Sequence, residues 1–407
     1  MATQLELSAL SWNAYTPTDE NLLILSGWTR LDALSRQGGS SGFGASVFQG
    51  PDNEIVIAFR GTDSEPALNI DWITGNTAVF GIHNSQVRQA IEVVADVMAT
   101  HPGASIRLTG HSLGGGLASL MAVFFDLNAT VFATAPFEGS AKGFVVSQYF
   151  NDYLSYQAAH GRPAAIDPQF AAYASATGGT QGDLFDQREL RVHSRYIQNE
   201  VLDFIRIASN TIAGGEGEID IGETTLNDAG IDLLPYLMTP GLEVFGAARE
   251  ALVDAVALHG IGIHAALIAS DDLAQASRQL PSLLQLMLDS GLYARDIQTN
   301  QVNFINRLLN DHLSGDGSSL LESFTADLLR LGTQGSAHLG GLREGLIATL
   351  IERYYFANTS SADAFVSTPG NGVLFDVSTI TGSDRRGQQR LINGLEQILD
   401  LMNRARA

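Results

Sequence analysis

Residues 105–125 read SIRLTGHSLGGGLASLMAVFF. The opening is β-prone and short, and from Gly114 onward the text turns apolar and helical, so a strand over 105–109 and a buried helix over 114–125 are expected. Between them lies Gly110-His111-Ser112-Leu113-Gly114, a G-x-S-x-G turn. A serine hydroxyl is a poor nucleophile unless a tight turn holds it exposed where a histidine can take its proton. The glycines permit the strained backbone and the close strand–helix packing that such a turn requires. The following helix directs its N-terminus at an oxyanion formed during attack, and the N–H of Leu113 is placed to donate to it. Ser112 is therefore the candidate nucleophile. His111 reads as a packing residue beside the turn, because a base must approach Ser112 from across the site.

Outward from this turn, strands and helices alternate. Phe43–Phe48 and Glu54–Arg60 are β-prone runs separated by Gly50-Pro51-Asp52-Asn53, a hairpin signal with turn residues at its centre. From Ser85 to Thr100 the apolar positions Val87, Ala90, Ile91, Val94, Val97 and Met98 follow helical spacing, with a serine cap expected at the start and a stop before Pro102-Gly103. Thr130–Ala135 and Arg191–Gln198 read as further strands. This alternation predicts an α/β fold with a mostly parallel central sheet covered by helices. Residues 139–189 interrupt it with about fifty residues rich in tyrosine and phenylalanine, and an insertion of that length between strands suggests a cap or lid. Beyond about residue 270 the pattern is helical: Leu280–Leu288, Val302–Leu309, Leu320–Leu331, Leu342–Tyr355 and Arg390–Met402. A catalytic domain over 1–270 and a mainly helical C-terminal region over 271–407 are expected.

Composition narrows the partners. Forty-four acidic against twenty-three basic residues give a net charge of -21, which repels a phosphate backbone and disfavours nucleic acid. The absence of cysteine excludes disulfides and thiolate metal sites. Residues 1–11, MATQLELSALS, show no signal-peptide pattern, and the richest apolar window, Leu117–Leu127, is too short for a membrane span. Contact with a membrane is expected to be transient and at its surface. Either export independent of a signal peptide or a cytoplasmic location fits this pattern. The acidic stretch from Gly214 to Asp228 lacks EF-hand spacing and reads as a solvated loop, not a calcium site. Gly370-Asn371-Gly372 is a turn signal.

The segments Val56-Ile57-Ala58-Phe59-Arg60-Gly61-Thr62, Asp71-Trp72, His83 and Thr109-Gly110-His111-Ser112-Leu113-Gly114-Gly115 together resemble the class 3 lipases, the fungal-type lipases and related bacterial phospholipases of the α/β-hydrolase fold. The resemblance covers roughly residues 40–270. It implies that Thr62 supplies one oxyanion donor through backbone and hydroxyl and Leu113 the other. It also implies a carboxylate just after the strand Arg191–Gln198, where Glu200 is preferred and Asp203 is the alternate. A glutamate suffices, since orienting an imidazole requires an anion and not one chain length.

The base must be a histidine after the acid in chain order. Leu258-His259-Gly260-Ile261-Gly262-Ile263-His264 resembles the family segment that carries it, so His259 is preferred and His264 is expected to pack nearby. His312 is the alternate and His338 a further possibility, while His83 falls at a family position near the sheet–insertion junction and reads as structural. The expected activity is lipid ester hydrolysis, by a lipase or phospholipase A1, through an acyl-enzyme on Ser112, a chemistry that needs no metal or cofactor. A short-chain esterase or polyester hydrolase would use the same residues, and a lipid-binding or membrane-damaging module would keep the fold with an idle site.

Overall fold

The computed structural model describes residues 1–15, 22–37, 41–61, 83–197, Glu200, Leu202, 218–219, 258–280, 283–288, 304–314, 319–335, Ile347, Leu350, Ile351 and Tyr354. Its contacts divide into two compact units. One comprises Met1–Pro17, Gly27–Ile219 and Gly230–His264; the other comprises Thr18–Ser26, Asp220–Ala229 and Ala265–Ala407.

The first unit is built on a mixed sheet. Its strands are β1 (Thr29–Arg30), β2 (Arg36–Gln37), β3 (Gly44–Gln49), β4 (Glu54–Phe59), β5 (Ser105–His111), β6 (Asn128–Phe132), β7 (Val192–Ile197) and β8 (Glu218–Ile219). The spatial order is β1-β3-β4-β5-β6-β7-β8, with β2 also paired to β3. The hairpin β3–β4 is antiparallel, with Val47 opposite Ile57, and its turn places Asp52 and Asn53 at positive φ. From β4 onward each neighbour runs parallel, Phe59 facing Gly110 and His111 facing Phe132. The expected α/β architecture, parallel in its main part, is present.

Side-chain alternation assigns the two faces of this sheet. Ile55, Ile57, Phe59, Leu108, Ala129 and Val131 point into one large apolar core. That core is closed by α2 (Ser85–Thr100) and α3 (Leu113–Phe125), the helix that follows the serine turn. The opposite face carries α1 (Gln4–Asn13), a helix the sequence reading did not anticipate. A reciprocal Thr3–Glu6 capping box starts it, and its Leu7 carbonyl accepts a hydrogen bond from Thr109 of β5 at 3.3 Å. The cap of α2 is Asn84 and not Ser85: Asn84 has extended backbone, and its side chain accepts the N–H of Val87 at 2.9 Å.

Residues 139–189 fold into helices: α4 (Glu138–Ala141), α5 (Phe144–Ala159), α6 (Pro168–Ser175) and α7 (Gly178–Glu189). Phe144, at the start of α5, is exposed, and most of their other aromatic residues lie inward. Tyr149, Tyr153, Phe170, Tyr173 and Phe185 are buried in the same core as α3, with the Phe124 and Phe170 rings stacked 4.8 Å apart. These side chains, which composition alone offered as the lining of a cover, close the sheet's own interior. Two polar devices hold the insertion in place. Asp96 of α2 accepts from Arg36, Arg162 and Tyr156, and the buried Arg188 of α7 donates to the Val123 and Phe124 carbonyls at the end of α3. Those carbonyls have no partner within the helix, so the guanidinium fills the role of a C-terminal cap.

In the second unit, the described helices are α8 from Ala265 onward (Ile261–Ala269 in full), α9 (Asp271–Gln279), α10 (Leu283–Leu288), α11 (Phe304–Ser314) and α12 (Leu320–Gly335). Phe324 of α12 meets Phe304 and Tyr354 edge-on, and the Tyr354 hydroxyl donates to Asp327 at 2.8 Å. Helices were expected over the stretches that became α10, α11 and α12, whereas α8 and α9 were not among those singled out. Arg390–Met402 and most of Leu342–Tyr355 lie outside the described residues, as do most of the acidic stretch 214–228 and Gly370-Asn371-Gly372. Among the described residues no helix is long and apolar enough to cross a membrane, and no cluster of potential metal-binding side chains is found.

Candidate active site

The turn between β5 and α3 is as sharp as the motif requires. Ser112 has φ 58 and ψ -128, a conformation that side chains other than glycine rarely adopt, and it begins α3 directly. Backbone bonds on both sides hold it there. The N–H of Ser112 donates to the Phe132 carbonyl at 3.0 Å, and its own carbonyl accepts from Ala135 at 3.0 Å and Gly116 at 3.1 Å. The elbow is thus clamped to the chain leaving β6.

Glycine is enforced around it by contact. A Cβ on Gly110 would overlap the backbone of Gly114, one on Gly114 would overlap the Phe59 carbonyl, and one on Gly115 would sit 3.0 Å from Thr134. Gly61, at the end of β4, also runs beside the elbow: a Cβ there would lie 3.2 Å from that of Ser112 and would overlap the Tyr15 hydroxyl. Leu113 occupies the first turn of α3, where backbone N–H groups lack helical partners.

The preferred acid and base meet. Glu200, fully buried, lies three residues past the end of β7, and its Oε2 is 2.6 Å from Nδ1 of His259. The same oxygen accepts the Leu202 N–H at 2.9 Å, so the buried carboxylate is held by donors from two directions. His259 precedes α8, whose Gly262 is pressed against the Trp12 ring of α1 so closely that a Cβ there would overlap it. The elbow and the histidine are joined through His111. Its Nε2 lies 2.5 Å from the His259 carbonyl, its Nδ1 lies 2.8 Å from the Tyr15 hydroxyl, and the His111 and His259 ring centres are 4.6 Å apart. Burial holds the His111 imidazole well below the usual histidine range, and the neighbouring His259 and His264 push it further the same way. It is a neutral ring.

The remaining sequence candidates sort by position. His264 packs as expected, its ring 6.1 Å from that of His111 and its Nδ1 3.0 Å from the Gly260 carbonyl. His83 pairs with Asp152 of α5 at 2.6 Å, a structural tie at the edge of the insertion. His312 belongs to the second unit, where its Nδ1 lies 3.1 Å from the Ser319 hydroxyl. Thr62, Asp71, Trp72, Asp203 and His338 lie outside the described residues. Tyr15 was not anticipated. It follows α1 at no diagnostic spacing, and only the tertiary contact with His111 draws attention to it.

A parallel sheet with a serine at a strained strand–helix elbow, and a buried Glu–His pair docked beside it, has the character of an α/β hydrolase. Residues 7–141 match the family model of a Tle-like phospholipase domain. The chain is also 31% identical over 105 residues to an extracellular phospholipase A1 of Serratia liquefaciens, a match covering 26% of this chain and 31% of that protein. Over this stretch the chain is similar to phospholipase-like proteins, phospholipase A1 among them. The family match contains Tyr15, Gly61, His111, Ser112 and Leu113, and ends before Glu200 and His259. The chain spans about a third of the length of the curated relative that it matches.

Proposed function

We propose that this protein is a serine hydrolase that cleaves carboxylic esters of lipids, phospholipids above all, through an acyl-enzyme on Ser112. The observation that carries the proposal is the buried Glu200–His259 pair, 2.6 Å apart, tied through His111 to the elbow that bears Ser112. Glu200 accepts the Nδ1 proton of His259, which leaves the Nε2 lone pair as the proton acceptor. His259 takes the Ser112 proton as the oxygen attacks the ester carbonyl. The oxyanion is held by the N–H of Leu113 and by Thr62, whose neighbour Gly61 lies against Ser112. His259 then protonates the leaving alcohol, and a water, deprotonated by the same imidazole, releases the fatty acid. Glu200 orients the ring and offsets its transient positive charge throughout.

A lipid substrate is supported by the phospholipase-like match over residues 7–141. The test is the release of fatty acid from phosphatidylcholine vesicles and triacylglycerol emulsions, set against cleavage of a soluble butyrate ester. The long-chain aggregated substrates are expected to be favoured, and turnover confined to the soluble ester would place the enzyme among short-chain esterases. In the same assay His259→Ala should lower kcat by about 1000-fold or more. Glu200→Ala should cost between about tenfold and about 10,000-fold, and more than Asp203→Ala. The reverse ranking would move the acid to Asp203, and normal turnover of His259→Ala alongside a dead His312→Ala would move the base.

A further inference from the structure

We propose that Tyr15 and His111 form a positioning relay that sets the distance between Ser112 and His259, a role that rests on the serine-hydrolase reading above. The argument begins with the acceptor chemistry of His111. Its Nε2 faces the His259 carbonyl at 2.5 Å, and a carbonyl oxygen can only accept, so Nε2 carries the proton. Nδ1 then bears the lone pair, and the bond to Tyr15 at 2.8 Å must be donated by the tyrosine hydroxyl. The other tautomer would turn a lone pair toward the His259 carbonyl, an acceptor facing an acceptor at 2.5 Å.

His111 is covalently adjacent to Ser112. A single hydrogen bond therefore connects the residue preceding the nucleophile to the backbone of the base. On its far side His259 is held by Glu200 at 2.6 Å, so the imidazole is anchored both through its ring and through its own carbonyl. The Tyr15 hydroxyl occupies the corner where Gly61 and the elbow meet, leaving no room there for a Cβ on Gly61. Five ionisable groups face one another here: Tyr15, His111, His259, His264 and Glu200. His111 contributes no charge among them, because burial, reinforced by the two neighbouring histidines, keeps it neutral. That neutrality is useful, since a cation 4.6 Å from the His259 ring would oppose the imidazolium formed during attack.

Displacing a catalytic group by about 1 Å can cost on the order of 100-fold in rate without altering substrate affinity. Tyr15→Phe removes the hydroxyl that donates to Nδ1 of His111 while preserving ring packing. His111→Phe removes the link to the carbonyl, and His111→Gln restores an N–H donor near the Nε2 position. The measurement is kcat and KM on a soluble ester, with kcat expressed per serine titrated by a fluorophosphonate, together with a thermal melt of each variant. Tyr15→Phe should lower kcat about tenfold and His111→Phe about 100-fold, with KM unchanged within about twofold and each loss present in the fraction that labels. His111→Gln should recover most of the His111→Phe loss. Unchanged kcat per titrated serine in Tyr15→Phe and His111→Phe, with only the melting temperature or the labelled fraction reduced, would overturn the relay and leave both residues purely structural. A failure of His111→Gln to recover activity while it folds would also count against it. Absence of fluorophosphonate labelling in the unaltered protein would instead overturn the underlying hydrolase reading.

Discussion

Ser112→Ala is expected to abolish ester hydrolysis, lowering kcat by about 1000-fold or more, and to eliminate fluorophosphonate labelling. The hydroxyl is the only atom removed, so what survives is whatever acceleration the oxyanion donors provide with water as nucleophile. The protein itself should remain folded, because alanine keeps the Cβ and the elbow's backbone bonds to Phe132, Gly116 and Ala135 do not involve the side chain. Ser112→Gly gives a second reading of the same site. At φ 58 a Cβ is strained, a burden of order 1–3 kcal/mol, and glycine relieves it. The glycine variant should therefore be as inactive as the alanine variant but melt higher than both it and the parent. Turnover by Ser112→Ala above about a tenth of the parental rate would remove Ser112 from the mechanism.

The second large effect concerns stability. Gly114→Ala adds one methyl group where the first turn of α3 crosses the end of β4, and that methyl would overlap the Phe59 carbonyl group and crowd the Arg60 carbonyl carbon. These are backbone atoms of a central strand, and they cannot rotate away as a side-chain tip could. The cost should exceed the roughly 1–3 kcal/mol usual for overpacking and reach about 4–5 kcal/mol, enough to leave much of the chain unfolded. Gly182→Ala is the contrasting substitution. It lies inside α7 with no neighbouring atom within 4 Å of its added Cβ, and it should stabilise by about 0.5–1 kcal/mol through helix propensity. Urea denaturation of the pair would compare them directly. A Gly114→Ala protein with a parental midpoint would show that the elbow can open without cost.

The sheet was legible wherever local pattern and tertiary demand agree. The hairpin β3–β4 carried turn residues between two β-prone runs, and α2 displayed its buried stripe at Val87, Ala90, Ile91, Val94 and Val97. The elbow was legible because its glycines answer contacts within a few residues of chain and with the adjoining strand. Less was legible where a role depends on burial. The aromatics of residues 139–189 have the same composition whether they line a lipid pocket or a core, and only packing against Phe124 and Phe125 distinguishes the two. The helix α1 lacks a marked apolar stripe: Ser8 and Ser11 are buried beside Leu7 and Leu10, so periodicity had little to display. Tyr15 is a single side chain whose partner lies 96 residues away, and no spacing rule reaches that far. Glu200 and His259 were found through family resemblance and chain order, and the short bond between them is what unites two separate choices.

Because α5, α6 and α7 contribute Tyr149, Tyr153, Phe170, Tyr173 and Phe185 to the core that α3 also fills, this insertion is not an exchangeable module. Hydrolases that carry a cover on two flexible stems can vary it wholesale, lengthening, shortening or replacing it while the scaffold persists. Here such a change would remove aromatic side chains packed against α3 and the Arg188 guanidinium from its end. Diversification of this region among descendants is therefore channelled into substitutions on its outer face. Its length should be inherited almost unchanged, as though it were part of the sheet.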